Sequence, residues 1–248
     1  MTDDRLALIR ALLEKCSVEE RKMLFLELRA THAIHEFEQV IGAPAETILE
    51  AIHRAPELTR RMLRGVIADA AFAQFTVPEL AESGWKDVTP VGNYSFDYKL
   101  EDALGLVTVQ IKLQRSERGR PVVKPGARYG FDADVFTVET QKSRTGTDSE
   151  DNKTRPYRYG EFDVLAVSTQ PSSGKWDRFL YTVGSWLIQG KQPNEIATMQ
   201  PVSMTPGVLW TDDFNEVVRW FRERGDARRM TVQPATRKKV LERRAKGK

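Results

Sequence analysis

Apolar and polar residues alternate most strictly between Asn93 and Arg120. Phe96, Tyr98 and Leu100 fall on one side of an extended arm, with Ser95, Asp97 and Lys99 on the other. A second arm sets Val107, Val109, Ile111 and Leu113 against Thr108, Gln110 and Lys112. A period of two predicts two half-buried strands, and Glu101 to Leu106, with Gly105, supplies the polar, flexible residues of a reversal. A turn centred near Ala103 and Leu104 sets Asp97 opposite Gln110, and one centred a residue later sets it opposite Lys112. Either register brings a carboxylate, an amide and an ammonium together on one face.

The first 75 residues change period. Leu6, Ile9, Leu12 and Leu13 recur at helical spacing, and Ser17 with Glu20 forms a capping box for a helix from Val18 to about Thr31. Gly42 and Pro44 then separate two short amphipathic helices, the outline of a helix-turn-helix. Glu46 and Glu50 on its second helix would repel phosphate, which favours a hairpin packing on the core or a partner subunit over groove recognition. His32, His35 and His53 lack the companions of a zinc site. From Arg60 to Phe75 the pattern predicts a helix burying Met62, Leu63, Val66, Ile67, Ala70 and Ala71 and carrying Asp69, followed by Glu79 and Glu82 on a short turn.

Beyond the hairpin, Gln114, Arg115, Arg118, Arg120 and Lys124 make a basic loop suited to backbone phosphates. A strand is predicted over Phe131 to Glu139. Gln141 and Lys142 lead into a polar loop with Arg144, Lys153, Arg155, Tyr157, Arg158 and Tyr159, about nineteen residues long, a length usual for functional or disordered loops. Its Arg, Lys and Gln side chains are the types that read base edges, and Tyr157 and Tyr159 could brace it or pack against sugar. Glu161 and Asp163 share a face at the start of a buried strand ending at Val167. Either acid completes a metal site or clamps Arg155 and Arg158, with Asp163 favoured as a clamp. Trp210 to Arg222 reads as an amphipathic helix burying Phe214, Val217, Val218 and Phe221.

Charge adds one feature. The net charge is +3, but Arg228 to Lys248 holds nine Lys/Arg and one acid, so the preceding residues carry 3 − 8 = −5. Such an end is a phosphate-binding arm or a solubilising tail. One cysteine, Cys16, excludes an intramolecular disulfide. With no run of 18 apolar residues and no signal-peptide pattern, the expected location is cytoplasmic, away from membranes. Phosphate-binding glycine loops, serine-hydrolase elbows and internal repeats are absent.

The hairpin carries the chemistry. Asp97, the Gln110 side-chain oxygen and the Ile111 carbonyl are hard oxygen ligands of the kind Mg²⁺ takes, and Lys112 can orient or deprotonate an attacking water. By itself this polar face reads more readily as a solvated Asp/Lys cross-strand pair.

Asp97, twelve residues, then Gln110-Ile111-Lys112 resembles the bipartite core of the PD-(D/E)XK nucleases. The stretches VQIKLQRSERGRP, VETQKSRTGT and KTRPYRYGEFDVLAV, in that order, resemble type II restriction endonucleases of that superfamily, over roughly residues 65 to 215. The chain departs from the pattern in having Gln110 where an acid is usual and Phe96 where a proline precedes the aspartate. The missing charge would come from Asp69, Glu139 or Glu161.

The resemblance implies an α/β fold, a restriction-endonuclease-like core with a mixed central β-sheet flanked by helices, plus an N-terminal helical region. The divisions are 1–58 for the helices, 59–227 for the nuclease core and 228–248 for the basic tail. It implies Mg²⁺-dependent, sequence-specific hydrolysis of double-stranded DNA by Asp97, Gln110 and Lys112, leaving 5′-phosphates. A homodimer and a cognate DNA methyltransferase in the same system are the implied partners. The alternatives are a structure-selective repair or mobile-element nuclease of the same superfamily, and a noncatalytic DNA-binding regulator.

Overall fold

The computed structural model describes residues 2–142, 156–224 and 228–232. The chain divides into two units, Met1–Arg61 and Met62–Lys248, three residues beyond the boundary read from the sequence.

The first unit is helical: α1 (Thr2–Lys15), α2 (Val18–Thr31), α3 (Phe37–Ile41), α4 (Ala45–Arg54) and the start of α5 (Glu57–Ala71). The predicted capping box closes α2: the Ser17 hydroxyl accepts the Glu20 N–H at 3.2 Å, and the Glu20 carboxylate accepts the Ser17 N–H at 2.7 Å. Arg29 of α2 holds the turn between α3 and α4. It donates to Glu46 at 2.9 and 2.8 Å and to Glu38 at 2.8 Å, while Glu38 also accepts N–H groups from Ile34, His35 and Ala45. Arg29 draws the Glu46 carboxyl down to about 2. Glu46 is thus one arm of a helix clamp, and Glu50 is paired with Arg54. The ring nitrogen of His35 accepts the Phe37 N–H, a local cap.

The second unit is built on a five-stranded mixed sheet. Its strands are β1 (Lys86–Asp87), β2 (Tyr98–Asp102), β3 (Gly105–Leu113) and, after the short hairpin of β4 (Ser116–Glu117) and β5 (Arg120–Pro121), the later β8 (Val164–Ser168) and β9 (Phe179–Val183). The order is β1-β2-β3-β8-β9, with β3 and β8 parallel and the other neighbours antiparallel. A three-stranded sheet joins β6 (Val123–Lys124), β7 (Val135–Glu139) and β10 (Met199–Val202). Two short helices, α6 (Val77–Glu82) and α7 (Gln170–Ser173), and the longer α8 (Phe214–Arg224) complete the unit.

Strand alternation sorts the core into two layers. Tyr98, Leu100, Val107, Val109, Ile111, Val164 and Ala166 pack with Ala68, Phe72, Leu80, Val217 and Val218 of the flanking helical segments. Leu165, Val167 and Leu180, on the opposite face, pack with Val138, Val202 and Ile188. Each fully buried Val, Leu or Ile contributes about 1.5–3 kcal/mol. The mixed sheet with flanking helices is therefore the expected α/β architecture, and the small second sheet covers its other face.

Three predicted faces move. Phe96 packs with the second layer, stacked on Tyr94, and not beside Tyr98 and Leu100. In α5 the buried positions are Ala68 and Ala71, followed by Phe72, whereas Met62 and Val66 are about 60% exposed. Small residues let the helix sit close on the sheet, and a π-helical turn at Phe72–Thr76 then rotates the chain into α6. In α8, Phe214, Val217 and Val218 are buried as predicted, joined by Trp220, while Phe221 is half-buried.

Candidate active site

The hairpin connection is Ala103–Leu104, with Asp102 opposite Gly105 and Tyr98 opposite Val109. Of the two registers open from sequence, this is the one that sets Asp97 beside Gln110. Gly105 has a φ of +125°, accessible to glycine, which makes so short a reversal feasible. Arg222 of α8 pins the tip from outside, donating to both oxygens of Asp102 at 2.8 and 2.7 Å and to the Gly105 carbonyl at 3.2 Å.

Three groups converge at the other end of the hairpin. One Asp97 carboxylate oxygen accepts the Ile111 N–H at 2.7 Å and a hydrogen from the Gln110 amide nitrogen. The same amide nitrogen donates to the Ile111 carbonyl at 3.2 Å. Gln110 is buried between them, at 3% exposure. Two hard oxygens thus point at one spot filled by an N–H donor, and a half-turn of the amide presents its own oxygen there instead. The donor set fits a small divalent cation that keeps several waters, provided further negative charge is near.

That charge is present in the field around Lys112. The parallel register Gln110↔Leu165 and Lys112↔Val167 puts both polar side chains on the second-layer face. Lys112 is half-buried; desolvation pushes its amine down, against the upward pull of Asp97, Asp69 and Glu139. Burial pushes the carboxyls of Asp97 and Asp69 up, partly offset by Lys112. Asp69 reaches the hairpin because its backbone carbonyl accepts the Tyr98 hydroxyl at 3.2 Å. Among the described residues, however, no three His, Cys, Asp or Glu side chains gather at metal-binding distance. Asp69 and Glu139 act here through space.

The remaining acids are engaged elsewhere. Glu161 accepts Lys142 at 2.6 Å and the Arg158 N–H at 2.9 Å. Asp163 holds Thr108, accepting its N–H and hydroxyl at 2.8 Å each, and so secures the parallel β3–β8 entry; Arg155, one of the arginines it was expected to clamp, lies outside the described residues.

The DNA-contact candidates separate by exposure and pairing. Arg118 and Arg120 are exposed on the β4–β5 hairpin, whose turn has Arg118 at φ +50° and Gly119 at φ +74°, the geometry of a tight two-residue reversal. Arg115 is half-buried and paired with Glu117 at 2.8 Å, Gln141 bridges Pro156, Lys142 is tied to Glu161, and the exposed Arg158 bridges Glu195. Gln114 is a correction: at 1% exposure, bonded through its N–H to Ser168 and bridged to Val138, it lies between the sheets and not on a DNA-facing surface. Arg144, Lys153 and Arg155 lie outside the described residues, as does the basic tail beyond residue 232. Its first residues are docked: Met230 is buried, and Arg229 lies 4.3 Å from the Tyr159 ring centre.

Among solved structures, the chain is similar to a bacterial homing endonuclease, I-Ssp6803I, at 23% identity and a TM-score of 0.32, over 50% of this chain and 69% of that one. No family model and no curated protein matches the chain.

The partner of Lys112 has no signal in the sequence pattern. Tyr157 places its hydroxyl 3.3 Å from the Lys112 nitrogen, from 45 positions further along the chain. No periodicity links the two; only the β3–β8 pairing and the return of the chain at Pro156 bring them together.

Proposed function

We propose that this chain is a Mg²⁺-dependent endonuclease acting on double-stranded DNA, with the sequence-specific, type II restriction mode as its particular form. The convergence of the Asp97 carboxylate and the Ile111 carbonyl on the Gln110 amide, two residues before Lys112, carries the reading. Asp97, Gln110 and the Ile111 carbonyl would hold Mg²⁺, which when bound supplies positive charge to the phosphoryl oxygens. Asp69 and Glu139 add the negative field that Gln110 lacks.

The protein's own part in the reaction is positioning and proton transfer. Lys112 orients the attacking water and takes its proton. The water oxygen bonds to phosphorus in line with the 3′ oxygen, the P–O3′ bond breaks, and the 3′ oxygen takes a proton from solvent. The products are a 5′-phosphate and a 3′-hydroxyl. A half-buried, desolvated amine suits this role because its neutral form is easier to reach than that of a solvated lysine.

Cutting both strands of a twofold site calls for two such centres, hence a homodimer. In the first unit α2 buries none of its residues, and Met23, Phe25 and Leu28 are half or more exposed, which gives a second copy apolar surface to cover. In the restriction form, host DNA would be guarded by a methyltransferase acting on the same site. Digestion of unmethylated plasmid with Mg²⁺, against an EDTA control, tests the proposal. Discrete fragments with 5′-phosphate ends support the restriction form, fragments confined to branched or nicked DNA support a structure-selective nuclease, and intact DNA contradicts both.

A further inference from the structure

Lys112 has no carboxylate within salt-bridge distance among the described residues, and the Tyr157 hydroxyl, at 3.3 Å, is its hydrogen-bond partner there. Its nitrogen also lies 5.2 Å from the Tyr157 ring centre, and the Lys142 nitrogen lies 5.4 Å from the same centre. A flexible four-carbon stem loses rotamer entropy when it is immobilised, so a reactive lysine needs a fixed neighbour.

Tyr157 is fixed. It is 5% exposed, meets Phe162 edge-on with ring centres 5.3 Å apart, and accepts the Ile196 N–H through its carbonyl at 2.8 Å. Burial first, then Asp97 and Glu161, hold its hydroxyl well above the usual phenol range, so it stays a neutral phenol and does not compete with Lys112 for protons. Lys142, on the same ring, is itself restrained by Glu161 at 2.6 Å.

We propose that Tyr157 is a positioning residue: its hydroxyl and ring face set where the Lys112 amine rests, and thereby aim it at the water that attacks DNA. This rests on the nuclease reading for what the amine does, but not for where it is held. Misplacing a reacting group by about 1 Å can cost on the order of 100-fold in rate without weakening substrate binding.

Two measurements test it. In cleavage assays, Tyr157→Phe, which keeps the ring and loses the hydroxyl, lowers kcat about 10-fold while KM and DNA affinity stay within about twofold, and Tyr157→Leu lowers kcat about 100-fold. In NMR spectra of lysine-labelled protein without DNA, the Lys112 ε signal, assigned through Lys112→Arg, is shifted by the ring current. The shift survives in Tyr157→Phe and vanishes in Tyr157→Leu. An unshifted Lys112 signal, or full kcat in Tyr157→Phe, overturns the proposal. If the wild-type protein cuts no DNA, the nuclease reading fails, and the NMR result alone decides whether Tyr157 holds Lys112.

Discussion

Gln110 donates a hydrogen from its side-chain amide to the Asp97 carboxylate, and from the same nitrogen to the Ile111 carbonyl. The amide nitrogen satisfies both oxygen acceptors at once; under the proposed Mg²⁺ binding it would rotate to offer its own oxygen as a third ligand. An acid at position 110 would instead repel Asp97 whenever the cation was absent.

Burial raises the Asp97 carboxyl above the usual carboxylate range, partly offset by Lys112 and the Ile111 N–H, so its charged form is disfavoured by the fold. Asp97→Asn therefore leaves Tm equal to or above wild type without metal. Mg²⁺ at about 100 times its Kd should stabilise the wild-type protein by about 2.7 kcal/mol. Thermal melts with and without Mg²⁺ check this: the shift appears in the wild type and is absent in Asp97→Asn.

Gln110→Glu sets a second carboxylate beside Asp97. Two adjacent carboxylates cost about 1–2 kcal/mol without metal, and the Mg²⁺-dependent rise in Tm becomes larger than wild type. Cleavage is retained. A Tm indifferent to Mg²⁺ in this variant would argue that the three oxygens do not share a cation.

Arg118 and Arg120 stand exposed at the β4–β5 turn without an ion-pair partner among the described residues. Replacing both with alanine should lower the slope of log K against log salt by about 2 and weaken binding to all DNA sequences similarly. Binding isotherms between about 50 and 200 mM salt measure it.

At the far end of the hairpin, Arg222 draws the Asp102 carboxyl below the usual carboxylate range. A depressed folded pKa stabilises the fold above the unfolded value of about 3.9, and the contribution is lost as pH falls through the folded value. Asp102→Asn should cost about 1 kcal/mol at pH 7, with the gap from wild type closing below about pH 4. Melting curves across that range test the sign.

Much of this arrangement is legible in the sequence, because strand alternation and turn chemistry are local. The hairpin from Tyr98 to Leu113, the Ser17–Glu20 cap and the buried face of α8 follow from spacing alone. The register needed the structure: both candidate turns satisfied the pattern, and only the two-residue Ala103–Leu104 connection puts Asp97 on Gln110. In α5 Ala71 is buried as its spacing predicts, but Ala68 and not Met62 or Val66 completes the buried face, because the sheet accepts small residues where helical spacing alone favours large ones. Gln114 looked like part of a basic loop, but β3 continues far enough to draw it between the sheets. The contact of Tyr157 with Lys112 depends on two distant segments meeting and has no local signature.

Paired binding and cleavage assays on Lys112→Ala bear most directly on the nuclease assignment. With Mg²⁺ and unmethylated double-stranded DNA, the variant should bind as tightly as wild type, within about threefold, while cleavage falls by at least about 1,000-fold. A Lys112→Ala protein that cuts DNA at the wild-type rate would contradict the assignment.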